Sequence, residues 1–186
     1  MGWRSIRMTL DRRILLRGQL KAFIRASAGK ELNVMFPMVT SVSEFLEAKQ
    51  TFFKELERER SRGNALPKAV HVGTMLEVPA LLFQLDDLLK HVDFVSVGTN
   101  DLSQFLFATD RGNPLIWNRY DSLSPAMLKT LKFITDKCRA AGVKCSVCGE
   151  MAGKPLDAIV LAALGYRSLS MNPASLGAVK AALRTV

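Results

Sequence analysis

Two carboxylates, an amide and a thiol recur at one kind of position in this sequence, just past short apolar runs. Glu77 follows the run 72–76, Asn100 and Asp101 follow Val95-Ser96-Val97-Gly98-Thr99, and Cys148 closes 143–148 ahead of Gly149 and Glu150. If the runs are neighbouring strands about 4.8 Å apart, Glu77 and Asp101 share a rim and can converge on one cation. Magnesium favours such a set: one or two carboxylates, water, and oxygens from a phosphorylated substrate. The same two residues could instead be a rim salt-bridge partner and a cap for the next helix. Arg111 lies in the turn-rich stretch Thr109-Asp110-Arg111-Gly112-Asn113, and a guanidinium binds phosphate or carboxylate with two parallel hydrogen bonds, unless it simply faces solvent. A thiol with an ordinary pKa near 8.5 is mostly protonated at neutral pH, so Cys148 at a rim could give up a proton; buried, it would be inert.

Positioning such groups requires strands that end where the chemistry begins. Apolar runs at 32–36, 69–76, 93–97, 144–148 and 168–171 read as strands, and each is followed by an amphipathic segment that reads as a helix. These helices fall at 42–62, 79–90, 102–108, 124–142, 156–164 and 173–184, after an opening helix at 7–28 whose apolar positions are Ile14, Leu15, Leu20 and Phe23. Ser41 or Ser43 is placed to cap the second, which carries Phe45, Leu46, Phe52, Phe53 and Leu56. Alternating strands and helices predict an α/β fold with a parallel sheet, either doubly wound or part of a (β/α)₈ barrel. No G-x-G-x-x-G follows the first strand, so the dinucleotide fingerprint is missing. The segment 111–121, rich in Asn, Gly, Pro and aromatic residues, reads as a functional loop.

Composition bounds the partners. The 186 residues, 48% hydrophobic and 23% charged, suit one domain with a buried core, and no linker or repeat divides them. The apolar stretch at 158–164 is far below the roughly 18–20 residues of a membrane span, and the chain opens without a leader pattern, so a soluble cytoplasmic protein is expected. A net charge of +9 suits an anionic partner of any size. The Lys/Arg clusters at 4–25 and 49–62 read as solvated helix faces without an aromatic platform, which argues against nucleic acid. Cys138, Cys145 and Cys148 are an odd number, and on a strand Cys145 and Cys148 face opposite sides, out of disulfide reach. His71 and His91, the only histidines, have no metal-ligand spacing and read as structural.

Six segments taken in order narrow this further: Gly2-Trp3-Arg4-Ser5-Ile6-Arg7, Met35-Phe36-Pro37-Met38, Gly73-Thr74-Met75-Leu76-Glu77-Val78-Pro79-Ala80, Gly98-Thr99-Asn100-Asp101-Leu102-Ser103-Gln104, Asp110-Arg111-Gly112-Asn113 and Cys148-Gly149-Glu150-Met151-Ala152-Gly153. Together they resemble the C-terminal, phosphoenolpyruvate-binding barrel of the PEP-utilising enzymes. The Asp-Arg-Gly-Asn turn is more similar to enzyme I of the sugar-transporting phosphotransferase system, phosphoenolpyruvate-protein phosphotransferase, than to pyruvate phosphate dikinase or PEP synthase. The resemblance implies a partial TIM (β/α)₈ barrel of about five consecutive βα units, the family's first strands being absent, with residues 1–186 forming one PEP-binding domain. It implies Mg²⁺ as cofactor on Glu77 and Asp101, substrate contacts from Arg4, Asn100, Asp101 and Arg111, and Cys148 as the acid that protonates the pyruvate enolate.

Partners implied in the same way are phosphoenolpyruvate and pyruvate, a second copy or the remaining barrel portion, and a phosphocarrier protein reached through an N-terminal domain. That domain carries the family's acceptor histidine in a Gly-rich Ser-His context, which neither His71 nor His91 has. Two further PEP-binding arginines also lie on strands ahead of the first one here. The expectation is a chain inactive by itself, whose unclosed barrel exposes strand edges and an apolar interior. A dikinase or synthase relative, or a non-catalytic interaction remnant, is the alternative.

Overall fold

The computed structural model describes residues 2–113, 115–116 and 119–185, so the loop predicted at 111–121 falls partly outside the described residues. Five strands form one sheet: β1 (Glu31–Phe36), β2 (Ala69–Leu76), β3 (Phe94–Gly98), β4 (Lys144–Cys148) and β5 (Leu169–Ser170). Every neighbouring pair is parallel and the order is β1-β2-β3-β4-β5. That order decides between the two architectures left open by the sequence. A doubly wound sheet reverses its strand order at a switch point, whereas consecutive units of a (β/α)₈ barrel follow one another around the ring.

The helices are α1 (Ile6–Asp11), α2 (Arg13–Ala26), α3 (Val42–Ser61), α4 (Leu85–Leu88), α5 (Thr99–Leu106), α6 (Pro125–Ala140), α7 (Pro155–Leu164) and α8 (Leu176–Leu183). They cover one face of the sheet, where alternate strand residues such as Val34, Phe36, Val72, Leu76, Val95, Val97 and Val147 are buried. The α3 start is a capping box: Ser41 accepts from the Glu44 N–H and the Glu44 carboxylate accepts from the Ser41 N–H. The opposite sheet face carries Asn33, Met35, His71, Gly73, Met75, Phe94, Ser96 and Ser146. This corrects the expected apolar interior: side chains on that face are mixed and largely polar or small.

Three helix expectations are also corrected. The segment 7–28 is broken at Arg12, whose backbone (φ −113°, ψ 67°) is not helical. The segment 79–90 begins as a 3₁₀ turn over Pro79–Gln84 and becomes α only at Leu85. On α2 the buried stripe is Leu16, Leu20 and Ile24, while Ile14, Leu15 and Phe23 are exposed, as are Leu46 and Phe53 on α3.

Charge decides that α2 orientation. Glu55 and Glu59 on α3 are buried at the helix–helix seam. Arg17 Nε donates to Glu55 (2.5 Å), which Arg58 also reaches. Glu59 accepts from Arg25 Nε (2.6 Å), Arg62 Nη1 (2.7 Å) and Asn64 Nδ2 (2.7 Å). The arginines expected as solvated faces therefore work as clamps on buried carboxylates. Hydrogen bonding led by Arg25 lowers the Glu59 pKa from 4.5 to about 2. Because the folded value lies below the unfolded one, this group stabilises the fold above pH 4.5 and the contribution fades as pH falls toward 2. Glu59→Gln is expected to flatten that acid limb. Urea midpoints should drop less for the variant than for the wild type between pH 6 and pH 3, and equal drops would refute the clamp.

Candidate functional site

The C-terminal ends of β2, β3 and β4 bring the chemistry together. Register pairs Met75 with Ser96 and Gly98 with Cys148, so Glu77, Gly98 and Cys148 lie side by side on the face away from the helices. Gly98 is what lets the outer two meet. A Cβ there would lie 2.8 Å from Glu77 Oε2, 2.8 Å from Met75 Sδ and 3.1 Å from Glu77 Cβ, so the β3 backbone serves as the floor against which Glu77 packs.

Glu77 is 2% exposed and accepts a hydrogen bond from the Met38 N–H at 2.7 Å. Burial, with the neighbouring Asp101 carboxylate adding to it, raises its pKa from 4.5 to about 7, against the opposing pull of the Met38 N–H and the Arg4 charge. Asp101 sits in the first turn of α5 rather than at its cap, which is Gly98. Its Oδ1 accepts from Arg4 Nη2 at 2.6 Å, and Arg4 also reaches Met38 Sδ at 3.4 Å. Neither local alternative therefore holds in the form stated: Glu77 makes no salt bridge among the described residues and Asp101 is not the helix cap.

Cys148 closes β4 with its thiol toward Glu77 and Ser96, while Cys145, three residues earlier, faces Cys138 and Tyr166 in the helix layer. The expected opposition of the two cysteines holds. Burial first, then the Glu77 charge, pushes the Cys148 thiol above its ordinary value, so it is a neutral donor at physiological pH. Its Sγ lies 3.5 Å from the Val97 carbonyl.

The loop after β4 is tied directly to the loop after β3. Thr99 Oγ1 donates to the Cys148 carbonyl (3.0 Å), and the Glu150 N–H donates to Asn100 Oδ1 (3.1 Å). With its oxygen so engaged, Asn100 has its NH₂ donors to offer a ligand. Arg111 Nη2 lies 4.0 Å from Glu150 Oε1, and its backbone N–H is held by Gln104 Oε1 at 3.1 Å. One concavity is bordered by Arg4, Asp101, Gln104 and Arg111. A second, lined by Asn100, Arg111, Tyr120, Ser122, Glu150 and Lys154, opens beside it.

Every residue predicted for the site thus lies at one rim, with Glu77 as its buried floor. Sequence reasoning missed Met38 and Glu150, which donate backbone N–H groups, Gly98, which permits close approach, and Thr99, whose hydroxyl ties the two loops. One structural signal marks Met38. The non-glycine residues with positive φ among those described are Ser5 (55°), next to Arg4, Met38 (60°), itself Glu77's donor, and Ala108 (52°), shortly before Arg111. Strain of about 1–3 kcal/mol per such residue persists only where the surroundings hold it, and it clusters at working sites.

The donor set suits a hard cation. The Asp101 carboxylate lies close enough to Glu77 to help raise its pKa, and no group of three or more His, Cys, Asp or Glu gathers among the described residues. An ion here would take most of its ligands from water and a bound oxyanion, as Mg²⁺ does. Neither histidine joins the rim. His71 lies toward the start of β2, 3.4 Å from Glu31 and, at about 3.3 Å per residue, roughly 20 Å along the strand from Glu77. His91 lies past α4, 4.0 Å from Asp87.

Comparison with known proteins agrees on a family. The family described as "PEP-utilising enzyme, PEP-binding domain" matches residues 1–186. A protein of Escherichia coli K12 named "Phosphoenolpyruvate-dependent phosphotransferase system" is 45% identical over 188 residues, covering 100% of this chain and 25% of its own length. A "Phosphoenolpyruvate-protein phosphotransferase" of Haemophilus influenzae is 39% identical over 186 residues, covering 100% of this chain and 32% of its own length. The chain thus spans a quarter to a third of the length of these two relatives. Among solved structures, a citrate lyase from Burkholderia xenovorans LB400 superposes with a TM-score of 0.63 at 24% identity, over 91% of this chain and 53% of that one. An HpcH/HpaI aldolase/citrate lyase family protein from Burkholderia cenocepacia does so at 0.60 and 17%, over 92% and 68%. At those identities the likeness concerns the fold alone. No helix among the described residues is long and apolar enough to cross a membrane.

Proposed function

Since the chain belongs to the PEP-binding domain family of the PEP-utilising enzymes, we propose that its rim binds phosphoenolpyruvate with Mg²⁺, as the PEP-binding portion of a PEP-protein phosphotransferase. The observation that carries this reading is the buried Glu77 carboxylate, its pKa raised by burial and by the neighbouring Asp101, a charge that a cation would answer. Mg²⁺, held by Glu77 and Asp101, would neutralise phosphate oxygens. Arg4, Asn100 and Arg111 supply cationic and amide donors around the same concavities and orient the phosphoryl group. Cys148, neutral and aligned with Gly98 and Glu77, supplies the proton when the enol carbon of the departing pyruvate must be capped. With His71 and His91 away from the rim, the phosphoryl acceptor in this reading is a histidine of the intact protein outside these residues, and a phosphocarrier protein is the onward partner. Homodimerisation, a soluble cytoplasmic location and inactivity of the isolated segment belong to the same proposal. The names of the relatives favour this branch over a dikinase or synthase.

Arg4 gives the test. In the structure it donates to Asp101 Oδ1, so its charge would compete with a cation for that carboxylate. Calorimetry on Arg4→Gln is expected to show Mg²⁺ alone binding more tightly than to the wild type. PEP at saturating Mg²⁺ should bind about tenfold more weakly, the scale of one charge-assisted hydrogen bond. A folded wild-type protein that takes up no PEP in the presence of Mg²⁺ overturns the reading.

A further inference from the structure

Asp157 is a buried carboxylate that the proposed chemistry does not use. It lies in the first turn of α7 at 5% exposure, and Oδ2 accepts a hydrogen bond from Ser122 Oγ at 2.8 Å. No cation pairs with it within salt-bridge distance among the described residues. A carboxylate in a first turn is favoured by the helix dipole, and this one also holds the Ser122 hydroxyl. Its effect is local: it fixes Ser122.

Ser122 belongs to a short, internally braced stretch. Asp121 Oδ1 accepts from the Leu123 N–H at 2.8 Å, the Ser124 N–H donates to the Asp121 carbonyl at 3.0 Å, and the Tyr120 ring stacks on Phe107 at 4.7 Å and 10°. Tyr120 and Ser122 are one wall of the cavity whose other walls carry Asn100, Arg111, Glu150 and Lys154. Phe107 anchors this wall from α5 and Asp157 anchors it from α7, so the two helices set the width of the cavity between them.

We infer that Asp157 is a positioning residue: through Ser122 it holds the Tyr120–Ser122 wall against α7 and so sets the cavity beside Asn100 and Arg111 to the size of the bound anion. The anion part of this statement rests on the PEP reading; the anchoring part does not. Removing the anchor frees the wall, lets the already exposed stretch at Arg119 and Tyr120 open into the extended form a protease cleaves, and leaves the Glu77–Asp101 pair untouched.

The test compares Ser122→Ala, Asp157→Leu and Asp157→Asn with the wild type in the full chain. Asparagine keeps an oxygen that can accept from Ser122, whereas leucine does not. Tryptic cleavage after Arg119, followed by mass spectrometry, is expected to accelerate at least fivefold in Ser122→Ala and Asp157→Leu and to stay near the wild-type rate in Asp157→Asn. In the same two variants PEP should bind about tenfold more weakly while Mg²⁺ alone binds as before. Wild-type cleavage in Ser122→Ala overturns the anchor. That variant removes only a half-buried hydroxyl, so the anchor stays testable even if Asp157→Leu does not fold. Accelerated cleavage with unchanged PEP affinity overturns the positioning role. If the wild type itself binds no PEP, the proposed function fails while the cleavage arm still tests the anchor.

Discussion

Replacing Glu77 with glutamine is expected to make the metal-free protein more stable at pH 8, not less. Glu77 holds a folded pKa of about 7 against an ordinary 4.5, chiefly because it is buried and then because Asp101 lies beside it. The folded state therefore binds its proton more tightly than the unfolded chain does. Stability falls as pH rises from 4.5 through 7, and by pH 8 the loss is on the order of 2–3 kcal/mol. Glutamine carries no charge to desolvate and keeps an oxygen for the Met38 N–H, so the variant escapes that loss. For a chain of this size the gain is a melting temperature roughly 5 °C higher at pH 8, and little difference at pH 4.5. Magnesium should reverse the order. It lifts the wild type through ligand linkage and leaves Glu77→Gln unmoved. Scanning calorimetry at both pH values, with and without millimolar Mg²⁺, reads all four states. A lower melting temperature for the metal-free variant at pH 8, or an equal response to Mg²⁺, would falsify the assignment of Glu77 to a cation.

Gly149→Ala should be the most damaging single methyl group at the rim. Gly149 has φ 122° and ψ −179°, a region open essentially to glycine alone, and a Cβ would meet Thr99 Oγ1 at 2.4 Å and Asn100 Oδ1 at 3.0 Å. Backbone strain alone costs about 1–3 kcal/mol. The collision also parts Thr99 from the Cys148 carbonyl and Asn100 from the Glu150 N–H, the two bonds that join β3 to β4 at the site. The expected melting temperature is roughly 10 °C lower. Among molecules still folded, PEP affinity should fall more than Mg²⁺ affinity, since Asn100 is displaced while Glu77 is not. Gly177→Ala is the control: nothing lies within 4 Å of a Cβ there, and alanine suits a helix better than glycine, so thermal stability should hold or rise. Equal melting temperatures for the two variants would refute the close approach at Gly149.

Strand positions were legible because buried parallel strands are short apolar runs that a helix cannot imitate at that length. Residues 69–76 and 144–148 match β2 and β4 residue for residue. The α2 face was not legible. Ile14, Leu15, Leu16, Leu20, Phe23 and Ile24 wrap most of that helix, so periodicity permits stripes one residue apart. The choice belongs to Arg17 and Arg25, which reach Glu55 and Glu59 only when Leu16, Leu20 and Ile24 point inward. The break at Arg12 leaves no glycine or proline to mark it.

At the rim the same division holds. The order of Glu77, Asn100, Asp101 and Cys148 after successive apolar runs pointed all four to one end of a parallel sheet, because strand direction is shared and loops follow the C-terminal ends. Six ordered segments also carried the resemblance to the family whose PEP-binding domain matches residues 1–186. What they could not determine is how the groups meet. The Met38 N–H reaches Glu77 from 39 positions away through a positive-φ backbone, and Arg4 rests on Asp101 across 97. Gly98 and Gly149 matter for the side chains they admit. Such contacts are long-range and depend on backbone atoms, which every residue carries alike, so only the tertiary structure decided them.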